Sequence, residues 1–168
     1  MKRKLMYTAV SKRLLTFGMA IGLSLSSGIA SAVGQITVAT NDTVVETGEE
    51  FSAIVALNGD GRYDVYVGIT GGKFGNDFHV FIAESTLVLW VPAEGPPPKL
   101  RDNVDLGNLS VKDKIIRLVP RMHLDGYAGD YVIYAVLSAP GQFQQQLQDG
   151  TLIGVDAPLN IKVKEDAQ

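Results

Sequence analysis

From residue 33 onward, apolar and polar residues alternate in short runs, and turn-forming residues separate the runs. Residues 50–57 place Phe51, Ala53, Val55 and Leu57 on one face, the period of a half-buried strand. Asn58-Gly59-Asp60-Gly61 follows as a turn, because Asn and Gly tolerate positive φ. Residues 63–69 set Val65, Val67 and Ile69 inward and Asp64, Tyr66 and Gly68 on the opposite face. Further strands are predicted around Ile36 and Val38, at Val44-Val45, and over 78–83, 86–91, 114–119, 130–138, 151–155 and 159–163. No segment of this region carries a capped stripe of 3.6-residue period. Short strands at this spacing predict an all-β fold, an antiparallel β-sandwich.

Two stretches break the alternation. Residues 92–112 contain Pro92, Pro96, Pro97 and Pro98, then Asp102, Asn103 and Asp105. Three consecutive prolines favour polyproline II and do not fit a sheet ladder, so a long loop is expected. Residues 140–150 carry five glutamines and read as a single helical turn or a polar excursion. Both loops are expected to be variable surfaces on a rigid scaffold. There is no internal repeat.

The first 32 residues have a different character. Lys2, Arg3, Lys4, Lys12 and Arg13 precede an apolar run from Leu14 to Leu23, and small residues then lead to Ala30-Ser31-Ala32. This is the three-part pattern of a cleavable secretory signal, with Val33 as the expected mature start and 33–168 as one domain. An uncleaved anchor is the competing reading, weakened by Ser24, Ser26, Ser27 and Ser31. The leader holds five of the 15 basic residues and none of the 18 acidic ones, so residues 33–168 carry a net charge of −8. Nucleic acid is disfavoured as a partner. No later run is long and apolar enough to span a bilayer, so the mature form is not expected to cross a membrane. The expected location is the periplasm or the medium. The chain has no Cys, which excludes disulfides, thiolate-held metals and a thiol nucleophile.

The segment Leu124-Asp125-Gly126-Tyr127-Ala128-Gly129-Asp130-Tyr131-Val132-Ile133 resembles the E–F corner of immunoglobulin-like and fibronectin type III domains. Gly129 and Tyr131 match its Gly-x-Tyr, and Ile133 takes the core position that antibody domains give to Cys. The resemblance implies a tyrosine hydroxyl bonded back to the corner backbone. A wider likeness runs from Tyr63 to about Val163. Asp64-Val65-Tyr66-Val67-Gly68-Ile69 and the later Gly129-to-Gly141 stretch are similar to bacterial extracellular β-sandwich modules of secreted and surface proteins. The early strand departs from those modules in having Gly71-Gly72-Lys73 where Pro-Asp-Gly is expected. The resemblance implies fold and compartment and brings no catalytic residues.

Tests for chemistry return little. No Gly-x-Ser-x-Gly nucleophile elbow occurs, and neither His79 nor His123 has a nameable partner. Asp64, Glu84 and Asp130 lie near strand ends, but spacing brings no two together as a glycosidase pair. Asn58, Asp60 and Asp64, and again Asp102, Asn103, Asp105 and Asn108, form acidic turns without the calcium-loop spacing, so no cofactor or calcium ion is expected. The expectation is a non-catalytic binding module of the cell envelope, acting on a protein or glycan through loops or a sheet edge. The alternative is a carbohydrate-binding module, with Tyr66 and Tyr134 sharing an outward sheet face and Tyr127 and Phe143 as further contacts. Trp90, inside the apolar run 87–91, is assigned to the core.

Overall fold

The computed structural model describes residues 33–164, so the expected signal peptide lies outside the described residues. Ten strands and one short helix follow in order: β1 Gln35–Thr40, β2 Val44–Val45, β3 Glu50–Asn58, β4 Arg62–Gly71, β5 His79–Ala83, β6 Thr86–Leu89, β7 Arg101–Asp105, β8 Ile115–His123, β9 Gly129–Ser138, α1 Phe143–Asp149 and β10 Leu159–Val163. Strands β1, β3 and β8 form a three-stranded sheet with β3 in the middle. The second sheet runs β2-β10-β9-β4-β5-β6, and β7 joins it beside β4. All pairings are antiparallel except β2 with β10, which is parallel and departs from the expected wholly antiparallel fold.

The two sheets share one core. Val55 and Leu118 from the small sheet and Val65, Ile133 and Leu137 from the large one are essentially fully buried in the same cluster. Alternation along β3 and β9 selects these faces, because successive side chains point to opposite sides of a strand. The fold is therefore all-β, with two layers held by apolar side chains.

The large sheet is buried on its second face as well. Tyr66, Val80, Trp90 and Phe143 form a separate apolar cluster there, with Phe78, Val136 and Leu147 packed against it. The phase assigned to solvent in β4 is thus interior: Asp64 is 0% and Tyr66 4% exposed. The cover is α1, which aligns Phe143 and Leu147 on one side at an i, i+4 spacing. It ends at Gly150, which adopts the left-handed conformation and donates its N–H to the Gln146 carbonyl.

Three local expectations change. The proline-rich stretch contains strand β7, which shares one edge of β4 with β5: β7 pairs with Arg62, Tyr63 and Val65, and β5 with Gly68 and Ile69. Residues 151–155 contribute one isolated bridge, Leu137 to Ile153, because Gly154 at φ 57° turns the chain away. His79, given no partner by the sequence, packs its ring 4.4 Å from that of Phe74.

Candidate functional site

The residues singled out for ligand contact do not form one open surface. The Tyr66 ring lies 4.4 Å from Phe143 under α1, and Phe143 is 7% exposed, so neither has a free face for a sugar. Tyr134 is half-buried with its ring 5.5 Å from Phe78. Burial raises the pKa of the Tyr134 hydroxyl, and burial followed by the neighbouring Asp64 charge does the same for Tyr66. The two tyrosines do share a face of neighbouring strands, but Phe78, α1 and Trp90 fill it. Trp90 belongs to this cluster, as expected, and donates its indole N–H to the Gly95 carbonyl at 3.0 Å. Tyr127 lies apart, with the Lys73 ammonium 3.2 Å from its ring centroid.

The predicted corner is built differently. The Tyr131 hydroxyl accepts the Lys73 backbone N–H at 3.2 Å, on the single-turn segment Gly72–Phe74 that follows β4. It thus fastens a loop 58 residues upstream rather than its own corner. Gly129 sits where any side chain would meet the Gly72 Cα, 2.7 Å from an ideal Cβ, and Ile133 is buried in the main core. Tyr131→Phe removes the acceptor and is expected to cost about 1 kcal/mol. A thermal melt matching that of the parent protein would show that the bond contributes nothing.

Asp64 is the most heavily engaged polar group. Its Oδ1 accepts the Asn103 N–H at 2.9 Å, and its Oδ2 accepts the Gly141 N–H at 2.8 Å and pairs with the Lys99 ammonium at 2.9 Å. Burial alone would raise its pKa. The Gly141 N–H, Lys99 and the Asn103 N–H outweigh that and hold the carboxyl below its ordinary range. Lys99 is raised in turn, first by Asp102 and then by Asp64. One carboxylate therefore ties β4 to the proline-rich loop and to the turn before α1. Its bonds are spent on the fold, which removes it as a displayed acid.

The remaining acids offer no converging set. Glu84 pairs with Arg117, and Asp105 with Arg62 and Asn108. Among the described residues, no three His, Asp or Glu side chains lie close enough to hold a metal ion. A cleft of about 630 Å³ opens between the β2–β3 and β8–β9 connections, lined by Val45, Glu46, Glu49, Leu124, Asp125 and Lys164. Its charges are partly used internally, since Glu46 pairs with Lys164 and Glu49 accepts the Glu46 N–H.

The sheet edges differ sharply in protection. On β1, the Val38 N–H donates to Asp156 Oδ2 at 2.8 Å. On β2, the Val44 N–H donates to Asp42 Oδ1 at 3.0 Å. On β8, the Leu118 carbonyl accepts the Ser85 N–H at 2.7 Å, beside the Glu84–Arg117 pair. Strand β7 is short and carries Arg101, Asp102 and Asp105. These are the usual devices that blunt an edge. Strand β6 is shorter still, at four residues, but carries neither a charge nor a side-chain cap on its outer backbone groups. The Trp90 N–H donates to the Phe78 carbonyl, and Val88 lies opposite Val80, so Val88 and Trp90 turn their backbone groups toward β5. Leu87 and Leu89 turn theirs away, and those groups have no hydrogen-bond partner among the described residues. The run from Thr86 to Val91 contains no charge, and Leu89 is 53% exposed. Sequence reasoning marked this run only as a strand. Its lack of charge was visible, but its position at a border was not.

No helix among the described residues is long and apolar enough to cross a membrane. Compared with known families and with curated proteins, the chain matches no family model and no curated protein.

Proposed function

We propose that this protein is an exported, non-catalytic binding module with an immunoglobulin-like sandwich, working in the periplasm or outside the cell and engaging an extended polypeptide along β6. The observation that carries the reading is the contrast among edges. Four border strands each carry at least one side-chain cap, turn contact or charge, while β6 carries none of these and leaves the backbone groups of Leu87 and Leu89 unpaired. An added strand satisfies such groups whatever its sequence, and the side chains beside it supply selectivity. The absence of charge on 86–91 favours an uncharged partner strand. Support for export is the leader pattern of residues 1–32. The sugar-binding alternative loses its platform with Tyr66 and Phe143 buried.

The test uses a blocked peptide of alternating threonine and valine, titrated into the isotope-labelled protein. Slowed amide exchange at Leu87 and Leu89 is expected, and it is lost in Leu89→Pro. That variant removes one outward N–H and no bond to β5, since proline is tolerated where the N–H faces solvent. Perturbation spread over other edges, or none at saturating peptide, would overturn the proposal.

A further inference from the structure

We infer that the strand received by β6 is the β6 of a second copy, joined about a two-fold axis through Val88. The inference rests on the reading that β6 accepts a strand, and it adds the identity of the partner. In an antiparallel pair centred on Val88, Leu87 of one copy faces Leu89 of the other, and Leu89 faces Leu87. Both residues turn their N–H and C=O outward, so each facing pair exchanges two hydrogen bonds and the junction makes four. The edge is self-complementary in backbone pattern, as an isologous contact requires.

The side chains agree with this register. Leu87 and Leu89 lie on the same face as Phe81 and His79, their partners in β5. The axis keeps that face common to both copies. It brings the half-exposed Leu89 against Leu87 of the second copy, and Val88 against its own equivalent on the other face. Charge points the same way. Residues 33–168 carry a net −8, so two copies repel over most of their surfaces. The run 86–91 is uncharged and meets its own copy without like-charge opposition. The protection of β1, β2, β7 and β8 also limits growth, because pairing consumes both free edges and leaves the dimer with blunted borders. Four-residue strands bury little area, so the dimer is expected to be weak and concentration-dependent.

The experiment is analytical ultracentrifugation of the protein as isolated from its cell, over a dilution series from about 1 mM to about 1 μM, with amide exchange read at each end. The expected result is a mean mass approaching twice the protomer at the top of the series and the protomer mass at the bottom. Protection of Leu87 and Leu89 should appear only at the top. Leu89→Lys places a charge at the junction and should remain a monomer throughout, as should Leu89→Pro, both with an unchanged far-ultraviolet spectrum. A protein that stays monomeric while the threonine–valine peptide still protects Leu87 and Leu89 overturns the second copy and leaves strand addition standing. Monomers that also ignore the peptide overturn both. Species larger than a dimer, or a dimer insensitive to both substitutions, overturn the two-fold junction at Val88.

Discussion

Replacing Asp64 by alanine is expected to destabilise the protein by about 3–5 kcal/mol, because two backbone hydrogen bonds to a charged group are lost, at roughly 1.5–3 kcal/mol each. At this chain size the melting temperature should fall by roughly 10 °C. Two separate segments lose their anchor to β4 at once. The Asn103 and Gly141 N–H groups are left without an acceptor, and Lys99 keeps only Asp102. The cost comes mainly from the stranded backbone donors, because the Lys99 side chain is about one-third exposed and recovers solvation. Asp64→Asn should fall between alanine and the parent, since an amide oxygen still accepts one N–H while its NH2 opposes the remaining donors.

The same residue sets a sign for the pH dependence. Its folded pKa lies below the ordinary Asp value of 3.8, so the unfolded chain binds the proton more readily. The carboxylate's contribution is complete above that ordinary value. It disappears as pH falls through the lower folded value. Melting temperatures between pH 2 and 7 should therefore converge for the parent and Asp64→Asn at the acid end and separate toward neutrality. A constant gap across the range would show that the charge of Asp64 has no part in stability.

Gly71→Ala is the second substitution with a large expected effect, about 4 kcal/mol from backbone strain plus overpacking. Gly71 closes β4 at φ 93° and ψ −174°, a region open almost solely to glycine. An ideal Cβ there would lie 2.2 Å from the Asp130 carbonyl oxygen. That oxygen belongs to β9, paired with β4 over eight positions, so relief requires the two central strands to part or the following turn to move. Gly48 provides the comparison. It has φ 78° but nothing within 4 Å of the added carbon, so Gly48→Ala carries only the conformational cost of about 1–2 kcal/mol. Urea midpoints of the two variants separate the effects: equal losses would show that the close approach of β4 and β9 at Gly71 is not limiting.

Apolar alternation located most strands because a sheet with one buried face imposes period two on the chain. It failed where that condition failed. Strand β7 reads Arg-Asp-Asn-Val-Asp and has no apolar phase, since the backbone of β4 rather than a buried face holds it in place. The phase of β4 was assigned correctly for Val65 and Val67 and incorrectly for Asp64 and Tyr66. The alternation of one strand does not show that a helix from residues 143–149 lies over its other face. The Gly129–Tyr131 motif announced a hydroxyl needing a partner, and only long-range packing chose Lys73.

The chain by itself determined the β class, the inward faces of β3 and β9, the burial of Trp90 and the uncharged character of residues 86–91. These follow from local patterning, in which each side chain's partition between water and core depends on its neighbours two positions away. The tertiary structure decided which strands became borders, that β1 would be capped by the distant Asp156, and that Asp64 would be locked inside. Those outcomes depend on which segments meet across tens of residues, and the free edge of β6 exists because no capping group was brought to it.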